Sequence, residues 1–305
     1  MESPEPTRPR PSRIAVLGPG GVGGLLAAVL ARAGHEVVCL AREATAELLR
    51  TDGIRVRSGE FGDFTAPVGA DTRLRAPVDL CLIAVKQTAL EDALARIDPD
   101  TLGDGLLVPL LNGVEHPALL RERFRPELVA PGVIRVESTR LAPGLIAHTS
   151  PFADLDLASA TAPRERLDAA AGLLGEAGFG VRVLPDETSA LWAKMGFIAP
   201  LALLTTRYGQ NVGEVRTQHR AELFAAIAEV AAVAEACGAE LDLGGIEAFY
   251  LAVPAETKTS MQRDAEAGRP LELDAVGGAV LRAAAVHGVS VPVLTDLVLR
   301  LAARS

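Results

Sequence analysis

A glycine-rich turn near the N-terminus constrains the fold of this 305-residue chain more than any other feature. Its spacing, Gly-x-Gly-x-x-Gly, follows the apolar run 14–17 and precedes a helical pattern that ends at Gly34. In such a unit the glycines permit a tight turn, close approach of a pyrophosphate and close packing of helix on strand, and the helix N-terminus attracts the phosphates. The alternative is a degenerate turn of this type that has lost its ligand, although no glycine of the pattern is replaced. The residues predicted to hold a cofactor here are Gly18, Gly20, Gly21, Val22 and Gly23.

Apolar runs alternate with helical patterns through the first half of the chain. The runs 36–42, 78–86 and 105–113 are nearly free of charge, and helical patterns separate them. Such strands are typical of a parallel sheet that is covered on both faces. The segments 54–58 and 61–69 predict a hairpin or irregular strands, and the segment ending at Asp186 predicts a last strand.

After residue 185 the pattern becomes helical, over 191–206, 221–236, 271–287 and 293–303, with a short strand signal only near Val289. We therefore predict a leader (1–12), a Rossmann-type nucleotide-binding domain (13–185) and a helical substrate and catalytic domain (186–305). The predicted fold class is α/β, an N-terminal doubly wound parallel sheet followed by a C-terminal all-α domain.

Charge and composition exclude several function classes. Thirty basic and 39 acidic side chains give a net charge of −9, which argues against binding to nucleic acid. Arg121, Arg123 and Arg125 alternate with acidic residues and predict a solvated helix end. The most apolar stretch, 196–206, is too short to span a membrane. We expect a cytoplasmic protein without membrane contact.

The cysteines and histidines show no pattern of metal ligands. Cys39, Cys81 and Cys237 are widely spaced, and the five histidines lack ligand spacing, so we predict no metal site and no disulfide framework. Cys39 and Cys81 lie in apolar runs, which favours a place in the core.

The end of the second predicted strand indicates which dinucleotide is bound. NAD enzymes usually carry an acidic residue there, whereas this strand ends at Arg42. A guanidinium can clamp the 2′-phosphate of NADP, so we predict NADPH as cofactor. The alternative is that Arg42 is an ordinary surface residue.

Lysine is rare in this chain. Of the 30 basic residues only Lys86, Lys194 and Lys258 are lysines, so 27 are arginines. Lys86 and Asn112 end successive predicted strands, where open α/β sheets bind ligands. Lys194 follows the single tryptophan, and a lysine in a cleft can have its pKa lowered enough to donate a proton near neutral pH. The alternatives are an exposed helix lysine for Lys194 and a turn residue for Asn112. For Lys258 a surface position is expected.

Five ordered motifs resemble the ketopantoate reductase (2-dehydropantoate 2-reductase) family over 13–303. They are the glycine turn with Arg42, AVK at Lys86, LNG at Asn112, LWAK at Lys194, and the segment KTSMQRDAEAGRPLELD over 258–274. The resemblance implies reduction of a 2-oxo acid to a 2-hydroxy acid with NADPH, in the biosynthesis of pantothenate.

The resemblance also implies roles for single residues. Lys194 matches the general acid. Glu272 matches the active-site glutamate, which holds the substrate hydroxyl and Lys194 and also contacts the cofactor. Ser260 matches a residue that contacts substrate, whereas Lys86 and Asn112 match residues near the nicotinamide ribose and the substrate. The alternatives are a surface pair of Glu272 with Arg269 and a helix N-cap for Ser260.

The chain departs from the family pattern at two positions. Ile198 and Ala202 stand four and eight residues after Lys194, where the family commonly has asparagine. On a helix these positions share one face with Lys194, so the substrate wall loses two amides. A more apolar 2-oxo acid or a ketone is therefore an alternative substrate, and a non-catalytic NADP(H) sensor is a third possibility. A homodimer is expected from the general frequency of symmetric dimers.

Overall fold

The computed structural model describes residues 10–303, so most of the predicted leader lies outside the described residues. The first half alternates strands and helices, as the apolar runs predict. Its elements are β1 (Arg13–Leu17), α1 (Gly21–Arg32), β2 (Glu36–Leu40), α2 (Glu43–Asp52), β3 (Ile54–Ser58), β4 (Phe64–Ala66), β5 (Gly69–Asp71), β6 (Leu80–Ile83), α3 (Leu90–Leu94), α4 (Pro99–Leu102), β7 (Leu106–Pro109), α5 (His116–Arg123), β8 (Gly132–Arg135), β9 (Ser138–Ala142), β10 (Leu145–His148), β11 (Asp154–Leu157), α6 (Arg164–Glu176) and β12 (Gly180–Val183).

The central sheet is parallel and has the strand order β5-β2-β1-β6-β7. A second sheet, β12-β11-β8, continues from it through a parallel bridge between Leu107 and Val129. Because β1, β6 and β7 run in one direction, their carboxyl ends meet at a single edge. The predicted α/β fold class is confirmed, and Cys39 and Cys81 lie in the core.

A separate four-stranded sheet, β4-β3-β10-β9, packs over α1. The β3–β4 hairpin was among the predictions, but a sheet of its own was not. Gly24 shows how close the contact is, because a Cβ there would lie 2.7 Å from the Ile146 Cδ1 atom. The side chain of Ser138 donates a hydrogen bond to the Gly21 carbonyl at 2.9 Å. This sheet therefore fixes the start of α1, where the glycine turn lies.

The second half is helical. Its elements are α7 (Glu187–Tyr208), α8 (Val212–Gln218), α9 (Arg220–Ala236), α10 (Leu243–Ala252), α11 (Ser260–Glu266), a π-helical stretch (Asp274–Gly278), α12 (Ala279–His287) and α13 (Pro292–Ala302). The strand signal near Val289 was wrong, since this segment is the link between α12 and α13. Helices α8, α10 and α11, which span only 7, 10 and 7 residues, were not predicted from the sequence pattern. The alanine-rich α9 packs against α7, α12 and α13 inside the chain.

Helix α7 is the central helix of this half. It is the one helix among the described residues that is long and apolar enough to cross a membrane, and two thirds of its most apolar window is buried inside the protein. Pro200 lies within it and has no N–H for the Gly196 carbonyl. The Tyr250 hydroxyl donates to the carbonyls of Gly196 and Phe197 at 3.0 and 2.7 Å. Tyr250 therefore satisfies the carbonyl that the proline leaves free.

A partly buried ion pair joins the two halves at the start of α7. Arg121 binds both carboxylate oxygens of Glu187, at 2.8 and 2.5 Å, and the Ala160 N–H donates to the same carboxylate. The expectation that Arg121 belongs to a solvated helix end was therefore wrong. The alternating charges around it gave no sign of a buried acid 66 residues away.

Candidate active site

The glycine turn lies at the carboxyl end of β1, and each of its glycines meets a different steric demand. Gly18 has φ +86°, a conformation that L side chains rarely adopt. A Cβ on Gly23 would lie 2.3 Å from the Gly18 carbonyl oxygen, and one on Gly21 would lie 2.2 Å from the Ser138 carbonyl oxygen. For Gly20, by contrast, the nearest protein atom would be 4.0 Å away. Only Gly20 therefore faces open space.

This geometry fits the pyrophosphate of a dinucleotide. The Gly24 N–H donates to the Gly20 carbonyl at 2.8 Å, so the N–H groups of Gly21, Val22 and Gly23 precede the first intrahelical bond of α1. Such N–H groups, at the positive end of a helix dipole, attract phosphate. The open space at Gly20 is where a ligand could approach the backbone.

The end of β2 lies beside this turn, because the Gly18 N–H donates to the Leu40 carbonyl at 3.1 Å. Arg42 is exposed there at the start of α2. The neighbouring Glu43 forms an ion pair with Arg50 at 3.0 Å. The end of β2 therefore presents the cation of Arg42.

A second arginine lies at the same strand end, which sequence analysis missed. Arg96 donates to the carbonyls of Ala41 and Thr72 at 3.0 and 2.9 Å. It comes from the end of α3, more than 50 residues after Arg42. No local motif marks it, and only the topology of the sheet brings it to this point.

Lys86 bridges the two halves of the molecule at the edge of the sheet. Its ammonium pairs with the buried carboxylate of Asp264 on α11, and Arg269 binds the other oxygen of that carboxylate at 2.8 Å. Asp264 thus contacts both halves. The Lys86 side chain is 44% exposed, so it also remains accessible to a ligand.

Glu272 faces the same edge from the helical half. Its carboxylate accepts hydrogen bonds from the Gln87 N–H at 3.0 Å and from the Asn112 side-chain amide at 3.2 Å. The side chain is buried, and Arg269 binds Asp264 instead, so the alternative of a surface pair between Glu272 and Arg269 was wrong. The structure brings Glu272 and Asn112 together across 160 residues.

Lys194 lies on α7 next to these groups. Its ammonium donates to the Leu111 carbonyl at 3.4 Å, directly beside Asn112. Burial lowers the pKa of Lys194 to about 8, the carboxylate of Glu272 opposes this shift, and Arg135 adds to it. The alternative of an exposed helix lysine was therefore wrong. Because its pKa is near neutrality, the ammonium can release its proton.

His116, which sequence analysis left unassigned, is buried behind Lys194. Neither ring nitrogen has a hydrogen-bond partner within residues 10–303, and the residue is 1% exposed. Burial, together with the charges of Lys194 and Arg121, lowers the pKa of His116 to about 3. The imidazole is thus neutral at physiological pH and adds no charge to the site.

Ser260 and Lys258 lie at and just before the start of α11. Ser260 is exposed in the first turn of α11, and the N-cap is Thr259, whose hydroxyl accepts from the Gln262 N–H. The alternative of an N-cap role for Ser260 was therefore wrong. Lys258 forms an exposed ion pair with Glu266 at 2.7 Å, as its expected surface position suggests.

The two apolar departures on α7 differ in their surroundings. Ile198 is half-buried one turn after Lys194, whereas Ala202 is buried in the core of the helical half. Of these two positions, only Ile198 keeps a partly accessible side chain.

A phosphate-binding turn, a cationic strand end and a lysine of lowered pKa beside a carboxylate define an oxidoreductase of the dinucleotide-dependent class. The family model described as "Ketopantoate reductase PanE/ApbA" matches residues 14–160, and the model of its C-terminal part matches 186–304. The chain belongs to the ketopantoate reductase family.

Known proteins resemble the chain over nearly its whole length. The 2-dehydropantoate 2-reductase of Mycobacterium tuberculosis H37Rv is 31% identical over 302 residues, covering 96% of this chain and 97% of that protein. The crystal structure of 2-dehydropantoate 2-reductase from Geobacter metallireducens GS-15 matches with a TM-score of 0.87 and 28% identity, over 96% of this chain and 100% of that one. D-mandelate dehydrogenase in complex with NADH and anilino(oxo)acetate matches with a TM-score of 0.85 at 21% identity, over 95% of this chain and 97% of that one, which shows a shared fold.

Proposed function

We propose that the protein reduces a 2-oxo acid to a 2-hydroxy acid with NADPH, and that 2-dehydropantoate is its first candidate substrate. The relatives that carry the name 2-dehydropantoate 2-reductase support the substrate. The observation that carries the chemistry is the lowered pKa of Lys194, beside Glu272 and Asn112 at the carboxyl edge of the sheet. The division into a nucleotide-binding part (13–185) and a catalytic part (186–305) belongs to this proposal.

The residues of this chain supply binding and proton transfer. Gly20 and the N-terminus of α1 would hold the pyrophosphate, and NADPH when bound supplies the hydride that reaches the keto carbon. Lys194 donates its proton to the keto oxygen, which becomes the hydroxyl, and then regains a proton from solvent. Before that transfer its ammonium stabilises negative charge that develops on the oxygen.

Glu272 and Asn112 orient the reacting groups. The Glu272 carboxylate raises the pKa of Lys194 against the effect of burial and so keeps the ammonium protonated near pH 7. With one oxygen held by Asn112 and the other by the Gln87 N–H, the carboxylate keeps a fixed orientation toward the cleft. Lys86 and Ser260, which are both exposed, would contact the substrate or the nicotinamide ribose.

A direct assay tests this proposal. The purified protein is mixed with NADPH and a panel of 2-oxo acids that includes 2-dehydropantoate, and NADPH absorbance is followed. Lys194→Arg should retain cofactor binding and lose about 100-fold or more in kcat, because a guanidinium does not release a proton near pH 7. A near-normal kcat in that variant, or no turnover of any 2-oxo acid, would contradict the proposal.

The preference for NADPH over NADH rests on Arg42 and Arg96 at the end of β2. Glu43 does not compete for the ribose, since it pairs with Arg50. Arg42→Ala should raise the KM for NADPH about 10-fold and leave the KM for NADH within 2-fold, in keeping with loss of one charge-assisted contact. Arg57→Ala, at an exposed arginine on β3, is the control. Equal KM values for the two cofactors in wild type and variant would contradict the assignment.

A more apolar 2-oxo acid or a ketone is the second candidate substrate, because Ile198 replaces a polar residue one turn after Lys194. Restoring an amide with Ile198→Asn should raise kcat/KM for 2-dehydropantoate relative to an apolar 2-oxo acid. If the wild type already prefers 2-dehydropantoate by a large factor, the apolar candidate is excluded.

A homodimer is proposed only from the general frequency of such assemblies, and sedimentation at micromolar concentration tests it.

A further inference from the structure

Strand β8, which ends at Arg135, packs against helix α7, which carries Lys194. Val133 of β8 packs against Ala190 and Leu191 in the first turns of α7. Arg135 follows Val133 by two residues, so its side chain points to the same face of the sheet, about 6–7 Å further along the strand. Lys194 lies one helical turn after Ala190, about 6 Å further along α7. Arg135 and Lys194 therefore lie on neighbouring elements, each a short step along its own element from this contact.

The electrostatics of the site agree with this placement. Arg135 is one of the groups that lower the pKa of Lys194, while Glu272 acts in the opposite direction. Strand β8 ends at Arg135, three residues before Ser138 contacts the glycine turn at Gly21. Arg135 thus lies at the edge of the sheet where the cofactor turn and Lys194 meet.

A buried carboxylate fixes the guanidinium of Arg135. Asp156 on β11 accepts from its Nη1 and Nη2 atoms at 2.6 and 3.3 Å. The same carboxylate accepts from Nε and Nη2 of Arg182 at 2.7 and 2.8 Å. Asp156 is 4% exposed, and these two arginines lower its pKa against the effect of burial. One buried charge therefore holds two arginines, and Arg182 alone can neutralise it.

Arg135 retains donors for a ligand. A guanidinium has five N–H groups, and Asp156 takes two of those on Arg135. The other three, which include the Nε–H, have no protein partner within residues 10–303. The side chain is 39% exposed, so these donors can be reached by a ligand. Arg135 is thus both fixed in position and accessible.

We propose that Arg135 is the residue that binds the carboxylate of the 2-oxo acid substrate, with Asp156 as its positioning residue. The inference rests on the proposed function. In a 2-oxo acid the carboxylate and the keto group are on adjacent carbons, so two neighbouring cations can bind both at once. Lys194 takes the keto oxygen, and the free Nε and Nη2 edge of Arg135 takes the carboxylate in a two-pronged contact. This contact supplies polar recognition where Ile198 offers none.

The test compares an acid with its neutral counterpart. For wild type, Arg135→Met and Arg135→Lys, kcat/KM is measured with NADPH on a 2-oxo acid and on the methyl ester of that acid. Arg135→Met should lower kcat/KM for the acid about 10- to 100-fold, mainly through KM, and leave the ester within about 3-fold. Arg135→Lys, which keeps the charge and loses the planar pair of donors, should show an intermediate loss. The KM for NADPH should stay within 2-fold throughout.

Arg182→Met is the matched control, because it removes the other arginine on Asp156 and leaves Arg135 in place. It should keep the acid-over-ester preference of the wild type. The inference is overturned if Arg135→Met and Arg135→Lys keep that preference, if Arg182→Met loses it equally, or if the KM for NADPH rises instead. A wild type that reduces neither acid nor ester refutes the proposed function and this inference together, whereas an active wild type isolates the role of Arg135.

Discussion

Replacing Lys194 by methionine should change how the stability of the protein depends on pH. Burial lowers the pKa of Lys194 from 10.5 to about 8 in the folded protein, while in the unfolded chain it stays near 10.5. Below pH 8 the lysine is charged in both states, and the folded protein bears the whole cost of the buried charge. As the pH rises through 8, the folded protein releases this proton and the unfolded chain does not. Stability therefore rises with pH in this window.

The size of the effect follows from the shift. Each pH unit between the two pKa values contributes about 1.4 kcal/mol. Between pH 8 and pH 9.5 the wild type should therefore gain about 2 kcal/mol of unfolding free energy relative to Lys194→Met. Other groups that titrate in this range are common to both proteins and cancel in the difference. The difference in unfolding free energy between the two proteins at a single pH is less informative, because methionine also changes the packing.

The measurement is urea unfolding of both proteins at pH 7.0, 8.0, 9.0 and 9.5, with equal m-values as the condition for comparison. The pH dependence of kcat/KM in the wild type gives an independent value, because it reports the pKa of the essential acid in the free enzyme. The stability difference and kcat/KM should both change slope with pH at the same value, near 8. A stability difference that does not vary with pH would refute the reasoning, and a rate that bends elsewhere would show that another group donates the proton.

Two further predictions concern the surroundings of Lys194. Glu272→Gln removes the carboxylate that raises the pKa of Lys194, so the fall of kcat/KM at high pH should begin roughly one unit lower; an unchanged profile would contradict this role. Tyr250→Phe removes the donor to the Gly196 carbonyl and should cost about 1–3 kcal/mol in urea unfolding. The same change should cost less in a Pro200→Ala background, where a backbone N–H becomes available, and additive effects would disprove the link.

The fold was predictable where a local pattern and a general rule coincide. The apolar runs that became β1, β2, β6 and β7 are long and nearly uncharged, and parallel strands that are buried on both faces require such runs. The sheet formed by β3, β4, β9 and β10 was not predictable as a unit. Its strands are short and come from two parts of the chain some 80 residues apart, and only the packing on α1 brings them together.

The candidate site shows the same division. Lys194, Glu272 and Asn112 were predicted from motifs, and the structure brings all three to one cleft. Arg135 and Arg96 were missed, because an arginine among 27 carries no signal until the sheet places it. Their partners lie on other strands or loops, 21 to 55 residues away. Such pairings depend on register and topology, which the sequence does not display.

The scarcity of lysine gains a physical meaning from these contacts. Lys258 forms an exposed pair with Glu266, and Lys86 forms a pair with Asp264, and an arginine is able to make either contact. At position 194 the requirement is different. In the proposed reaction the group must be charged while the substrate binds and must then release its proton, and no guanidinium does both near neutral pH. Burial that destabilises the folded protein is what lowers the pKa of this lysine, so the cost in stability and the proton transfer have one cause.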